Sequence, residues 1–245
     1  MWYKVKKIYV WTTKVRPAIP IPTSWLLWYR PLQTNLNDAS GNGNNGSWYS
    51  GTGSFWTVGW KNGAVVTRLL DSTWNASTQH IVTSLQYNWP TITMIWWIYL
   101  NSITLTWWWR PWLMNNSQTW NSYFTIWNRQ WDNWYIYTQL PTSSTSHNQL
   151  LLESHAVASA WELWCLTVSW SQIKFYRNWT LINTTSSSTT SSANGSYWRL
   201  WCGQKADTQV PTSPWWWTDW YIRHCAVYNR ALTDNEVLQF YNLTQ

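Results

Sequence analysis

The turns of this chain carry tryptophan where a β-rich sequence wants glycine, and that limits what the chain can fold into. Ile173-Lys174-Phe175-Tyr176-Arg177 and Thr180-Leu181-Ile182 are β-prone runs separated by Asn178-Trp179. A two-residue spacer of this kind calls for Asn-Gly in a type I′ turn. Asp219-Trp220, Ser169-Trp170-Ser171 and Trp131-Asp132-Asn133-Trp134 repeat the pattern. A bulky side chain at positive φ is strongly disfavoured, and glycine adopts that conformation freely. The chain has 29 Trp and 9 Gly, where ordinary usage of about 7 % would give about 17 Gly. Local chemistry and chain pattern therefore conflict repeatedly at one residue type. One reading is that many of these tryptophans are glycines encoded by UGA in a lineage that reads that codon as glycine. The other is a real aromatic surface for stacking on sugars or membranes. Trp97 and Trp164 sit inside strand-like runs, Trp96-Trp97-Ile98-Tyr99-Leu100 and Glu162-Leu163-Trp164-Cys165-Leu166, and both are expected to be tryptophan under either reading.

Short β-prone stretches divided by Ser, Thr and Asn predict strands at 25–31, 64–70, 79–86, 91–100, 122–127, 134–140, 149–157, 162–169, 172–177, 179–184, 197–202 and 220–228. Thr184 to Ser192 reads as an exposed low-complexity loop. One helix is predicted near the end. Thr233-Asp234-Asn235-Glu236 has the form of a capping box, followed by Val237, Leu238, Phe240 and Tyr241. Many short strands and one terminal helix predict an all-β fold, an antiparallel β-sandwich over 25–245. Residues 1–24 read as a basic head followed by a stiff linker through Pro17, Pro20 and Pro22.

Charge narrows the partners. The formal net charge is +7, but Lys4, Lys6, Lys7, Lys14 and Arg16 all lie in the head. The body is near neutral, so nucleic acid is not an expected partner. No apolar run is long enough for a membrane span, and no secretory signal peptide is recognisable. Cys165, Cys202 and Cys225 form no disulfide framework and are expected to be buried thiols.

Three segments resemble the concanavalin A-like, laminin-G-like (LamG) jelly-roll family. Leu36-Asn37-Asp38-Ala39-Ser40-Gly41-Asn42-Gly43-Asn44-Asn45-Gly46 is similar to the family's opening loop. Leu163-Trp164-Cys165-Leu166-Thr167-Val168 through Phe175-Tyr176-Arg177-Asn178-Trp179 resembles its central hairpin. Ile222-Arg223-His224-Cys225-Ala226-Val227-Tyr228-Asn229-Arg230-Ala231-Leu232-Thr233-Asp234-Asn235-Glu236-Val237 resembles its closing strand and helix. The matches stand in family order. The departures are tryptophans at glycine positions, 179 among them. In the head, Lys7-Ile8-Tyr9-Val10-Trp11 with Val15-Arg16-Pro17 is similar to short N-terminal segments of phage tail and virion proteins.

The resemblance implies a jelly roll that binds glycans or surface polymers, on a phage tail, another part of a virion, or a cell surface. The head would then touch other virion proteins. It also implies a possible calcium ion, for which Asp38, Asn42 and Asn44 are the candidate ligands, consistent with hard-cation chemistry. The alternative for the same residues is an Asx-turn loop that holds itself together. The same fold hosts glycoside hydrolases, which need two carboxylates about 5–10 Å apart. No ExDxxE-like cluster occurs among Asp38, Asp71, Asp132, Glu153, Glu162, Asp207, Asp219, Asp234 and Glu236. His80, His147, His155 and His224 show no metal spacing. Gly41 to Gly46 spells GxGxxG, but Ser47-Trp48-Tyr49-Ser50 cannot open the helix that a dinucleotide site requires. The expectation is a non-catalytic binding module; a structural virion domain is the second reading and a hydrolase the third.

Overall fold

The computed structural model describes residues 21–48, 55–59, 61–66, 68–70, 76–78, 81–86, 91–100, 112–115, 125–129, 135–141, 147–153, 159–186, 197–200 and 220–245. The strands in chain order are β1 (Leu26–Arg30), β2 (Gly46–Trp48), β3 (Phe55–Val58), β4 (Lys61–Val66), β5 (Arg68–Leu70), β6 (Ala76–Thr78), β7 (Ile81–Gln86) and β8 (Ile92–Leu100). They continue as β9 (Trp112–Asn115), β10 (Thr125–Arg129), β11 (Tyr135–Pro141), β12 (His147–Glu153), β13 (Trp161–Val168), β14 (Gln172–Arg177) and β15 (Thr180–Ser186). β16 (Tyr197–Leu200), β17 (Trp220–Tyr228) and the helix α1 (Asp234–Thr244) complete the chain. The fold is all-β, with antiparallel strand pairs and one short C-terminal helix.

An eight-stranded sheet runs β15-β14-β13-β8-β17-β4-β3, with β1 also paired to β17. A seven-stranded sheet runs β12-β11-β10-β9-β16-β7-β2, and β5 pairs with β6 apart from both. The central strands of the larger sheet are buried on both faces, which explains why they read as continuous apolar runs and not as alternation. Leu163 and Cys165 on β13, Ile95 and Trp97 on β8, and Ala226 and Tyr228 on β17 face Val237 and Phe240 of α1. Alternate residues, among them Met94, Trp96, Trp164, Leu166 and Phe175, are fully buried on the other face.

α1 starts where the sequence predicts. Thr233 accepts from the Glu236 N–H, and the Glu236 side chain returns to the Thr233 N–H. The reciprocal cap satisfies two otherwise orphaned donors. The predicted linker gives way to the domain before residue 25, because Ile21 already belongs to the helix-side core. The first three residues of the loop expected from Thr184 are strand instead. Thr184, Thr185 and Ser186 still pair with Lys174, Ile173 and Gln172, and residues 187–192 lie outside the described residues. So does the head, with Trp11 and the basic side chains before Pro17.

The predicted hairpin at Asn178-Trp179 forms, with Arg177 opposite Thr180. Asn178 has φ +47° and Trp179 φ +67°, as a type I′ turn requires. Asn178 also binds β13 twice: its N–H donates to the Leu163 carbonyl and its Oδ1 accepts from the Leu163 N–H, both at 2.9 Å. Trp25 repeats the problem at φ +65°, in a turn closed by the Leu26 N–H on the Thr23 carbonyl. Trp170 is different. Its turn needs no positive φ, so the glycine expected there from the spacing is not demanded by the backbone.

Candidate functional site

Asp38, Asn42 and Asn44 come together in one loop against β1. Asp38 Oδ1 accepts from the N–H groups of Tyr29 (3.0 Å) and Ser40 (2.9 Å), and Oδ2 from that of Asn44 (2.9 Å). The Asn42 amide donates to the carbonyls of Leu26 (2.7 Å) and Leu27 (3.1 Å), and the Asn44 amide to that of Leu27 (2.8 Å). Gly41 and Gly43, at φ +88° and +75°, supply the left-handed turns. Calcium takes six to eight oxygens. Here both oxygens of the carboxylate face N–H donors, and the two amides spend theirs on β1. The residues as arranged form a clasp closed by hydrogen bonds. Among the described residues, no group of three or more His, Cys, Asp or Glu converges on a metal position.

Behind the clasp lies a buried polar cluster that sequence reasoning missed. β17 changes register between Arg223 and Ala226, and His224 takes φ +47° there. Its ring stacks on Tyr29, with centroids 5.9 Å apart. Nε2 contacts Nη2 of Arg223 at 2.6 Å and Nε2 of Gln33 at 3.2 Å, and Nδ1 contacts the Tyr29 hydroxyl at 2.6 Å. A guanidinium can only donate, so His224 Nε2 is an acceptor and the proton sits on Nδ1, donated to Tyr29. Arg223 also reaches the Thr244 carbonyl. The cluster ties β1, β17 and the end of α1 together.

The described carboxylates are engaged elsewhere. Glu162 Oε1 accepts from Arg177 Nη2 (2.6 Å) and Nε (3.0 Å), and Oε2 from the Trp164 indole N–H (3.0 Å). Asp234 accepts from Lys174 (2.8 Å) and the Tyr176 hydroxyl (2.6 Å). These hydrogen bonds, Lys174 first, hold its carboxyl below the ordinary range. Glu236 chelates Arg230 (2.8 and 2.5 Å), which, with the cap, brings its carboxyl down to about 2. The side chains of Asp71, Asp132, Glu153, Asp207 and Asp219 lie outside the described residues.

A cleft of about 590 Å³ opens between the Ser169–Gln172 turn and the start of α1. Thr167, Ser169, Gln172 and Lys174 line one wall, and Ala231, Leu232, Thr233, Asp234 and Asn235 the other. The Lys174–Asp234 ion pair bridges the walls. The turn is fixed by its backbone bond from Ser169 N–H to the Gln172 carbonyl (2.8 Å) and by Ser169 Oγ, which accepts from the Gln172 N–H (3.1 Å). Trp170 stands at the tip of this turn, 69 % exposed.

No protein-family model matches this chain, and no curated protein matches it. Solved structures do. The binding domain of botulinum neurotoxin DC, in complex with rat synaptotagmin II, superposes with a TM-score of 0.70 at 13 % identity, over 91 % of this chain and 52 % of that one. The binding domain of Paraclostridial Mosquitocidal Protein 1 gives 0.67 at 13 % identity, over 90 % and 52 %. A botulinum neurotoxin type C structure, described for cell entry dependent on two ganglioside molecules, gives 0.70 at 13 % identity, over 91 % and 52 %. This chain therefore spans about half the length of the domains it superposes on, and the likeness is one of fold.

Proposed function

We propose that this protein is a non-catalytic binding module for glycans or other surface polymers, built on a LamG-like jelly roll. The observation that carries the reading is the solvent-open polar cleft in a molecule whose described carboxylates are all committed to structural contacts. Such a site holds a ligand by hydrogen bonds, and among the described residues no pair of free acids faces it. The fold neighbours support it, since they are binding domains and one is described with gangliosides. A virion tail or a cell surface is the proposed location, with the basic head contacting other virion proteins. The full-length chain, applied to immobilised cell-surface polysaccharides, is expected to be retained without added metal. Incorporation into particles with no retention on any polymer would favour the structural virion domain instead.

Calcium at Asp38, Asn42 and Asn44 is a separate proposal for the loop. A calorimetric titration with calcium tests it, because the ion has to displace three N–H groups from Asp38 to bind.

A second reading concerns the chain itself: position 179, and position 25 with it, is glycine in the native protein. Its support is the left-handed backbone at two exposed tryptophans, 48 % and 65 % accessible, with no burial to offset the strain. Mass spectrometry of the tryptic peptide from Asn178 to Arg199, taken from native material, is expected to show glycine at 179. Tryptophan there would end this reading.

A further inference from the structure

We propose that the cleft between the Ser169–Gln172 turn and the first turn of α1 is a subsite for a neutral, polyhydroxylated saccharide. The inference rests on the binding-module reading and gives it a place and a ligand charge. Among the lining residues, Lys174 and Asp234 carry opposite charges and lie 2.8 Å apart. They cancel, so the cleft attracts neither anions nor cations strongly. A phosphate or uronate would meet the Asp234 carboxylate, and an ammonium would meet Lys174.

A sugar hydroxyl suits the same wall because it both donates and accepts. The Gln172 and Asn235 side-chain amides offer both roles, while the Ser169 and Thr233 hydroxyls are committed to the turn and the helix cap. Gln172, Thr233 and Asn235 are solvent-exposed, so a ligand reaches them without a conformational change. Ala231 adds apolar surface for the C–H face of a sugar ring. Both walls are already rigid. The turn is closed by Ser169, the helix start by its capping box, and Asp234 is held by Tyr176. Preorganisation of this kind lowers the cost of binding. The volume falls in the range of small-ligand sites. Trp170 lies outside the lining set, so the proposal holds whether residue 170 is tryptophan or glycine.

The test uses the full-length chain on parallel arrays of neutral and acidic oligosaccharides, beside the double variant Gln172→Ala/Asn235→Ala. Both side chains are exposed and outside the core, so the variant is expected to match the parent in thermal unfolding. The parent is expected to bind neutral saccharides with little dependence on salt. The variant is expected to bind about tenfold more weakly, the loss of two side chains' hydrogen bonds. Parent and variant binding alike would overturn the cleft and leave the binding module standing. Preference for acidic saccharides with steep salt dependence would overturn the neutral-ligand assignment. Binding by neither protein to any saccharide would overturn both the cleft and the glycan reading.

Discussion

Two groups of tryptophan in this molecule behave as different residues. In the first group the indole N–H has a partner. Trp97 is buried, donates its indole N–H to Thr244 Oγ1 at 2.7 Å and stacks on Tyr241 with centroids 5.3 Å apart. Trp164 donates to Glu162, and Trp161 to the Val58 carbonyl at 2.8 Å. Trp161 also lies against Gly63, where a Cβ would come within 2.8 Å of its ring. The second group breaks local rules. Trp25 and Trp179 hold φ above +60° in the open. Trp28 and Trp96 are buried, and their indole N–H groups find no partner. A buried tryptophan ordinarily pairs that N–H, and leaving it orphaned costs roughly 1–3 kcal/mol. The contrast teaches that frequency alone does not sort these residues; hydrogen-bond satisfaction and backbone conformation do.

Substitutions sharpen the division. Trp97→Ala and Trp164→Ala are each expected to lose about 3–5 kcal/mol in chemical denaturation. Trp164→Ala also strips Glu162 of one donor. Trp28→Ala and Trp96→Ala are expected to cost less, by about 1–3 kcal/mol, because each removes an unsatisfied buried donor as well as packing. Equal losses in all four would erase the distinction. Trp179→Gly and Trp25→Gly are expected to stabilise by about 1 kcal/mol each, the left-handed strain relieved less the added freedom of the unfolded glycine. That corresponds to a rise in Tm of about 2–4 °C. Trp170→Gly is expected to change stability by under about 0.5 kcal/mol, since no positive φ is relieved there. A gain as large as that of Trp179→Gly would show that position 170 shares its constraint.

Many of the strand positions were readable because the central strands are long, apolar and bounded by clear turns. β13, β14 and β17 fall where the pattern predicts, and so does α1 with its capping box. β2, β3, β6 and β9 were not foreseen. Each is only three or four residues long, too short for a period to register. The Asp38 loop was legible as a unit, because Asp, Asn and Gly at that spacing build Asx-turns. The direction of its hydrogen bonds was not, since the donors come from Tyr29 on a neighbouring strand as well as from the loop. The His224 cluster left no local signal at all. Its partners Tyr29 and Gln33 lie 195 and 191 residues away in sequence.

By itself the sequence determined the all-β class, the Asn178-Trp179 hairpin and the helix that starts at Thr233. Each depends on side-chain period or on bonds that span a few residues. The tertiary structure alone decided which tryptophans have partners, that Glu162 and Asp234 serve ion pairs, and that the Ser169–Gln172 turn meets α1 across a cleft. Those outcomes depend on strand register and on a helix packed back over the sheet, and only the folded chain brings such distant groups within hydrogen-bonding distance.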